Sequence, residues 1–398
     1  MRAVFFCNEH FGLGHLRRSL AIAGALVETE PTATAVVVTG SRASGSVPAP
    51  RRVETLQLPP SPTDRHTAWK MTHANGTGAP RMPSEAVRAL RAERSLAAVR
   101  ELRPQVTAVD YLPTGRADEL LPALEWLRGT GGCLTVLGLR EVDDAPATLD
   151  VEWSRERVEA VRRLYDLVLV YGPEMSGDVR VRRLRAAGVE VQHVELVAAP
   201  AAASPPADLP CDYLLATAGG GIDGYGVLAA VLDALRMRPL PVATLIVAGP
   251  MMPAEHVERL RARAAGLDVR VERSRADLAA VMAGARAVVA MAGYNTVAEL
   301  VQTAAPAVLV PRTEPRAEQL LRARMLEEAG RAIVVPCNEL AADRLREALD
   351  EALSSRRPIV ARPRGARQAA EIIAAISRSA TGSRRSATHR PTSRERHA

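Results

Sequence analysis

Lysine is all but missing from this sequence: Lys70 stands alone among 52 basic residues, and the rest are arginines. Aromatic residues make up only 3 % of the chain, too few for the stacking surfaces that single-stranded nucleic acids require. The formal charge of +7 is therefore arginine-borne and partly gathered in the last residues, and no nucleic-acid partner is expected. The four cysteines, Cys7, Cys133, Cys211 and Cys337, lie far apart without a CxxC pair. Neither a zinc site nor a disulfide framework follows, and a reducing cytoplasm suits them. No apolar run, not even Val242 to Ala248 or Ala304 to Val310, approaches the ~18 to 20 residues of a membrane crossing. Met1 to Asn8 reads as a short strand, with neither a long apolar core nor a small-residue cleavage site, so export is not expected.

What is present suits a folded protein. With 398 residues, 47 % of them hydrophobic and 24 % charged, the chain has material for two or three domains. Ala198 to Pro210 is an Ala/Pro/Ser stretch without apolar period and reads as an interdomain linker. Beyond it, short apolar runs alternate with amphipathic stretches, the pattern of parallel strands with crossover helices. Strands are expected at Asp212 to Thr217, Ala243 to Ala248, Val269 to Glu272, Ala287 to Met291, Ala307 to Val310 and Ala332 to Val335. A helix is expected over Ala254 to Ala264, where Val257, Leu260 and Ala264 form one stripe. The first half repeats the theme with strands at Ala3 to Cys7, Ala35 to Thr39, Thr107 to Asp110, Leu134 to Leu137 and Leu167 to Val170, and a helix from near His15. Leu58 to Met82 is long, polar and rich in Pro, Thr and Gly, as functional or disordered loops are. The fold class expected is α/β: two doubly wound, Rossmann-like domains facing across a cleft, with any ligand where the strand C-termini meet.

Three strand-to-helix loops carry chemistry. Glu9 to Arg18 includes His10, Gly12, Gly14 and His15; the dipole of a helix starting there disfavours a charged His15, keeping it available as a base. Arg17 stands where a dinucleotide fingerprint wants its third glycine, so NAD fits poorly. Ala218 to Gly226 holds Gly219, Gly220 and Gly221, whose N–H groups can cradle a diphosphate, without the Lys-Ser/Thr of a P-loop. In Met291 to Leu300, Gly293, Asn295 and Thr296 would open a helix toward an anion, and Glu299, about one turn on, could accept from two ribose hydroxyls. Each loop alone also fits a blander reading: a satisfied structural histidine, an ordinary turn, and a glutamate favoured by the helix dipole.

Together these residues resemble a family. GLGHLRR at 12 to 18, VDYLPTGRADELLP at 109 to 122, LGLREVDDAP at 137 to 146, AGYNTVAEL at 292 to 300 and VPRTEPRAEQLLRARMLEEAG at 310 to 330 are similar to GT-B glycosyltransferases related to the bacterial peptidoglycan UDP-GlcNAc transferase. The likeness is greatest to the bacterial branch labelled predicted glycosyltransferases. The resemblance implies an acceptor-binding domain over 1–197, a linker over 198–210 and a nucleotide-sugar-binding domain over 211–362. A C-terminal helix over 363–377 would cross back to the first domain, followed by a basic, disordered tail over 378–398 with a weak prospect of peripheral membrane contact. Glu299 would bind the donor ribose, Gly220, Gly221 and Thr296 the diphosphate, and Glu318 and Gln319 the donor sugar. The base would lie near Ser274 and Arg275. His15 would deprotonate the acceptor or touch phosphate, with Asp110 orienting it or acting as base itself.

The first loop departs from the family's full Gly-Gly-x-Gly-Gly-His form, which puts a lipid-linked acceptor in doubt. No Asp-x-Asp motif stands at a strand end, so no obligatory metal and no resident cofactor are expected. The expected reaction is metal-independent sugar transfer from a nucleoside diphosphate donor, UDP-linked by family habit, to a small polar acceptor of the specialised-metabolite kind. Two other classes stay open: a nucleotide-sugar epimerase of the same fold, and a non-catalytic nucleotide-sugar-binding protein.

Overall fold

In the computed structural model, the residues described are 1–7, 13–41, 44–60, 85–175, 177–198, 206–314, 316–355 and 363–388, with side chains placed up to Ser379 except that of Ser46. The first domain is built on β1 (Arg2–Cys7), β2 (Thr34–Thr39), β3 (Val53–Gln57), β4 (Val106–Asp110), β5 (Leu134–Arg140), β6 (Leu167–Tyr171) and β7 (Val191–Val194). They form one seven-stranded sheet in the order β3-β2-β1-β4-β5-β6-β7, and the pairings are parallel. Its helices are α1 (Gly14–Thr29), α2 (Glu85–Leu102), α3 (Leu121–Thr130), α4 (Pro146–Glu152), α5 (Arg155–Leu164) and α6 (Val179–Ala186). Both faces of the sheet are covered: Ala3, Phe5 and Cys7 enter one core cluster, while Val4 and Phe6 enter the other, as alternation along a strand demands. This is why β4, β5 and β6 are buried along nearly their whole length.

The second domain has β8 (Tyr213–Thr217), β9 (Ala243–Val247), β10 (Val269–Glu272), β11 (Ala287–Ala290), β12 (Ala307–Leu309) and β13 (Ala332–Val334). They make a six-stranded sheet in the order β10-β9-β8-β11-β12-β13, again with parallel pairs. Its helices are α7 (Tyr225–Met237), α8 (Ala254–Ala264), α9 (Leu278–Gly284), α10 (Tyr294–Leu300), α11 (Glu318–Glu328) and α12 (Ala342–Ser354). α8 spans the residues its periodicity predicts, burying Val257, Leu260 and Ala264. In each sheet the strand order reverses once, between β1 and β4 and between β8 and β11, and such switch points open a crevice at the strand C-termini.

A last helix, α13 (Gly365–Thr388), packs against α1 and β7 of the first domain, placing Ala369, Ala370, Ile373 and Ala374 in its core. Gly365 makes the approach possible, because a Cβ there would sit 1.9 Å from the carbonyl oxygen of Glu195. α13 also corrects the expectation of a disordered tail from Arg378: the helix continues to Thr388. Packing nucleates its first turns, and each further turn then adds hydrogen bonds at little cost. Residues 389–398 lie outside the described residues, as do 199–205 of the linker and 61–82 of the polar segment. The sequence reading passes over β3 and β7. Both are edge strands with exposed or half-exposed middles, so neither carries a continuous apolar signal. Among the described residues no helix is long and apolar enough to cross a membrane.

Candidate functional site

The N-terminal half of the site sits at the first switch point. α1 starts directly after the loop that follows β1, so its first turns lie over the end of β4, where Asp110 pairs in register with Cys7. His15 and Arg18, three residues apart, share a helix face. His15 Nδ1 lies 3.1 Å from Asp110 Oδ2, while Arg18 Nη2 reaches both Asp110 oxygens, at 3.0 and 2.7 Å. Arg18 Nη2 is also 3.0 Å from His15 Nδ1. A guanidinium only donates and a carboxylate only accepts, so the two contacts compete for Nδ1: Asp110 calls for a protonated Nδ1, which bares Nε2, and Arg18 calls for the opposite tautomer. Burial lowers the His15 pKa against the opposing pull of Asp110, with Arg18 and Arg140 adding to the fall. Asp110 is also buried, which by itself favours its neutral form; the Arg18 guanidinium and then His15 nonetheless hold it below the usual carboxylate range.

Tyr111 follows with φ at 82°, a left-handed conformation that is costly for a bulky residue and concentrates at functional sites. Its ring is 5.5 Å from that of His15, and the Arg140 guanidinium lies 5.0 Å over it. Burial pushes the Tyr111 hydroxyl up to about 12. On its far side Tyr111 lines a pocket of about 170 Å3 together with Asp143, Glu152, Trp153, Arg157 and Arg316.

The C-terminal half sits at the second switch point. Gly219 and Gly221 have φ of 58° and 89°, and a Cβ on Gly221 would fall 2.5 Å from the Ala248 carbonyl oxygen. The turn after β8 therefore packs backbone to backbone on the turn after β9, as Met251 N donating to Gly220 O shows. A Cβ on Gly219 would lie 3.1 Å from Thr296 Oγ1, so the glycine turn and the start of α10 are neighbours. Gly293 caps α10 without a side-chain hydrogen bond, so the cap itself leaves the first N–H groups of the helix unsatisfied. Glu299, three residues beyond Thr296, is buried, and burial raises its pKa despite Arg17. Gln319 Oε1 accepts from Arg312 N at 3.4 Å. Arg312 binds one oxygen of Glu318 and, at 3.2 Å, Asp223. The other Glu318 oxygen is buried without a hydrogen-bond partner among the described residues. Ser274 and Arg275 follow β10 at the sheet edge. Arg275 is engaged by Asp208, Glu272 and Asp277, and Arg273, two residues before it, meets the turn after β9, where Gly249 N donates to Arg273 O at 2.8 Å.

Three sets of contacts join the halves. Asn295 Nδ2 donates to Gly14 O at 3.2 Å, and Arg17 Nη1 to Glu299 Oε1 at 3.1 Å. Tyr294 and Ala298 of α10 lie in the core of the first domain. There the Tyr294 ring has Arg18 at 4.8 Å and Arg322 at 5.6 Å, and its hydroxyl oxygen accepts from Val197 N at 2.8 Å. Arg322 of α11 crosses to Glu141 at 2.6 Å and to the Val142 carbonyl at 3.0 Å, while holding Ala292 O in its own domain at 3.0 Å. Beside it Ala317 N donates to Asp144 at 3.0 Å, and Arg316 pairs with Glu152.

Of the sequence candidates, the structure joins His15 to Asp110, Gly14 to Asn295, and the glycine turn to Thr296, with Glu299 on the same helix. Glu318 and Gln319 meet at Arg312. His10 and Gly12 lie outside the described residues. Sequence reasoning missed Arg17, Arg18, Tyr294, Arg316 and Arg322. Only Arg18 carried a signal, its helical spacing from His15; the others act across the domain boundary, which no local pattern reveals. Among the described residues no group of three His, Cys, Asp or Glu side chains is placed to hold a metal ion.

Two parallel α/β domains with their switch points facing define a GT-B protein. Residues 231–376 match the glycosyltransferase family 28 C-terminal domain, which makes this part of the chain a relative of that family. A curated relative from Chelativorans sp. (strain BNC1), a UDP-N-acetylglucosamine--N-acetylmuramyl-(pentapeptide) pyrophosphoryl-undecaprenol N-acetylglucosamine transferase, is 31 % identical over 173 residues. The match takes in 40 % of this chain and 46 % of the relative, so it spans less than half of that protein. Acinetobacter baumannii MurG is similar in fold, with a TM-score of 0.57 at 16 % identity, over 95 % of this chain and 100 % of MurG. The calicheamicin glycosyltransferase CalG4 gives 0.55 at 16 %, over 98 % and 99 %. The UDP-GlcNAc 2-epimerase of Methanocaldococcus jannaschii gives 0.59 at 10 %, over 95 % and 100 %.

Proposed function

We propose that the protein is a glycosyltransferase that moves a sugar from a nucleoside diphosphate donor, UDP-linked, to a hydroxyl or amine of a small polar acceptor such as a specialised metabolite. The observation that carries this reading is the convergence at two facing switch points: a buried His–Asp pair on one side, a glycine turn beside Thr296 and Glu299 on the other. In the reaction the acceptor oxygen or nitrogen bonds to the sugar's anomeric carbon and loses its proton to His15 Nε2. The bond from that carbon to the β-phosphate oxygen breaks, and its electron pair leaves with the diphosphate. Asp110 holds the imidazole in its useful tautomer and favours the imidazolium that forms. N–H groups of the glycine turn and of α10 receive the departing charge, Glu299 takes the ribose hydroxyls, and the unpartnered oxygen of Glu318 suits a donor-sugar hydroxyl. Neither a resident cofactor nor a metal has a step here. Four free cysteines suit a reducing cytoplasm as the setting.

The test is a melting and calorimetric panel of UDP, TDP, GDP, NAD and their sugar conjugates, since a ligand of the native state raises its melting temperature. UDP or its sugars are expected to bind, and Glu299→Ala to weaken them roughly 10- to 100-fold, as loss of charged hydrogen bonds does. Unchanged affinity in Glu299→Ala removes the donor-site assignment. The epimerase reading draws on the buried carboxylates Glu141, Asp143 and Asp144 beside the cleft. Asp143 and Asp144 are engaged by Arg140 and by Ala317 N with Arg316, while Glu141 is held by Arg322 through one oxygen and has no hydrogen-bond partner for the other among the described residues. Donor turnover without any acceptor would favour that reading. UDP binding without any turnover, unaffected by loss of His15 and Asp110, would point to a binding protein.

A further inference from the structure

Arg17 is the only residue of the first domain whose side chain is seen to bond the Glu299 carboxylate among the described residues, and it does so by a single bond, Nη1 to Glu299 Oε1 at 3.1 Å. Its side chain stays 31 % exposed while that of Glu299 is 8 % exposed. No other hydrogen bond or ion pair holds its guanidinium among the described residues. This is a loose, one-pronged contact from a group suited to two-pronged binding of phosphate. Its surroundings are those of an anion site: Thr296 is on the same face of α10 as Glu299, about 5–6 Å away between Cβ atoms, and Gly219 packs on Thr296 Oγ1.

A ribose that takes the oxygens of Glu299 must displace Arg17. The displaced guanidinium stays beside α10, whose Thr296 borders Gly219 of the glycine turn where a diphosphate would rest. Resting on the donor reading of the Glu299 site, we propose that Arg17 is an exchangeable counter-cation. It guards Glu299 in the empty protein and moves to the diphosphate when a nucleotide binds, neutralising charge from across the cleft. The exchange ties full occupancy of the site to a ligand that has both a ribose diol and a diphosphate.

The proposal predicts opposite responses from two probes. In Arg17→Gln, UDP affinity is expected to fall at least 10-fold, because the diphosphate loses its cation. Uridine, which has the ribose but no phosphate, is expected to bind as well or better, because Glu299 no longer has to be released. Arg17→Lys, which keeps the charge, is expected to recover most of the UDP affinity. The side chain is partly exposed on a helix, and unchanged melting temperatures of both variants without ligand verify their folding. If UDP and uridine weaken together, or UDP is indifferent to Arg17→Gln, the counter-cation role is overturned while the donor site stands. If the unaltered protein binds neither UDP nor any other nucleoside diphosphate, the donor reading falls and takes this proposal with it.

Discussion

At the scale of single residues, the site is governed by where charge can be buried. Arg18 and Asp110 are both nearly inaccessible, and neither would survive alone: a lone buried charge costs several kcal/mol, on the order of 3–5 when its partner is cut away. Their pairing creates the local field in which His15 sits, and burial keeps that imidazole neutral. With the His15 pKa below its ordinary 6.5, kcat/KM is expected to be flat at neutral pH and to fall only in acid, through a pKa lower than 6.5. Stability carries the same sign. The unfolded chain binds the proton more readily, so the His15 contribution is complete above the unfolded pKa and is lost as pH falls through the folded one. His15→Ala is expected to cost about 10²- to 10⁴-fold in kcat, the usual worth of general base catalysis, with UDP affinity kept. A pH–rate series alongside calorimetry checks both statements. In the sequence the link between His15 and Asp110 came only through the family resemblance; the helical spacing of Arg18 from His15 was legible, but its grip on the Asp110 carboxylate came from the fold.

At the scale of elements, the strongest tie is between α11 and the loop after β5. Arg322 and Glu141 are each 2 % exposed, and the arginine also satisfies two backbone carbonyls on opposite sides of the cleft. Arg322→Ala is expected to destabilise the protein by about 3–5 kcal/mol, leaving Glu141 charged and unpaired, which a denaturant midpoint measures. Glu141→Gln should cost less, because a neutral amide can be buried more cheaply. The two segments joined here, 137–146 and 310–330, are among the stretches that carried the family resemblance, yet nothing in either says that it touches the other. Secondary structure in the second domain was far more legible: apart from the edge strand β10, its strands are largely buried and read as apolar runs, and α8 has a clean stripe. Edge strands β3 and β7 escaped because half their side chains face water.

At the scale of the whole molecule, the two domains are held by more than a linker. α10 sends Tyr294 and Ala298 into the neighbouring core, and α13 closes that core from outside. Ile373 with Ala369, Ala370 and Ala374 contributes roughly 3–5 kcal/mol of apolar burial there. Removing residues 365–398 is therefore expected to weaken the first domain and spare the second. The three tryptophans, Trp69, Trp126 and Trp153, all precede the linker, so their fluorescence reports the first domain alone. In the shortened protein that signal should melt before the far-ultraviolet circular dichroism is lost, whereas the full chain should lose both closer together.

The return of α13 also sets a timetable for synthesis. A ribosome makes the second domain between β7 and the helix that covers the first core, an interval on the order of 10 to 30 s at typical elongation speeds. Through that interval the apolar face of α1 is uncovered, and the later-made domain holds everything its own core needs. The half synthesised second is therefore the first able to finish folding, and a nascent chain stalled near residue 360 would present α1 as a surface for chaperones to hold.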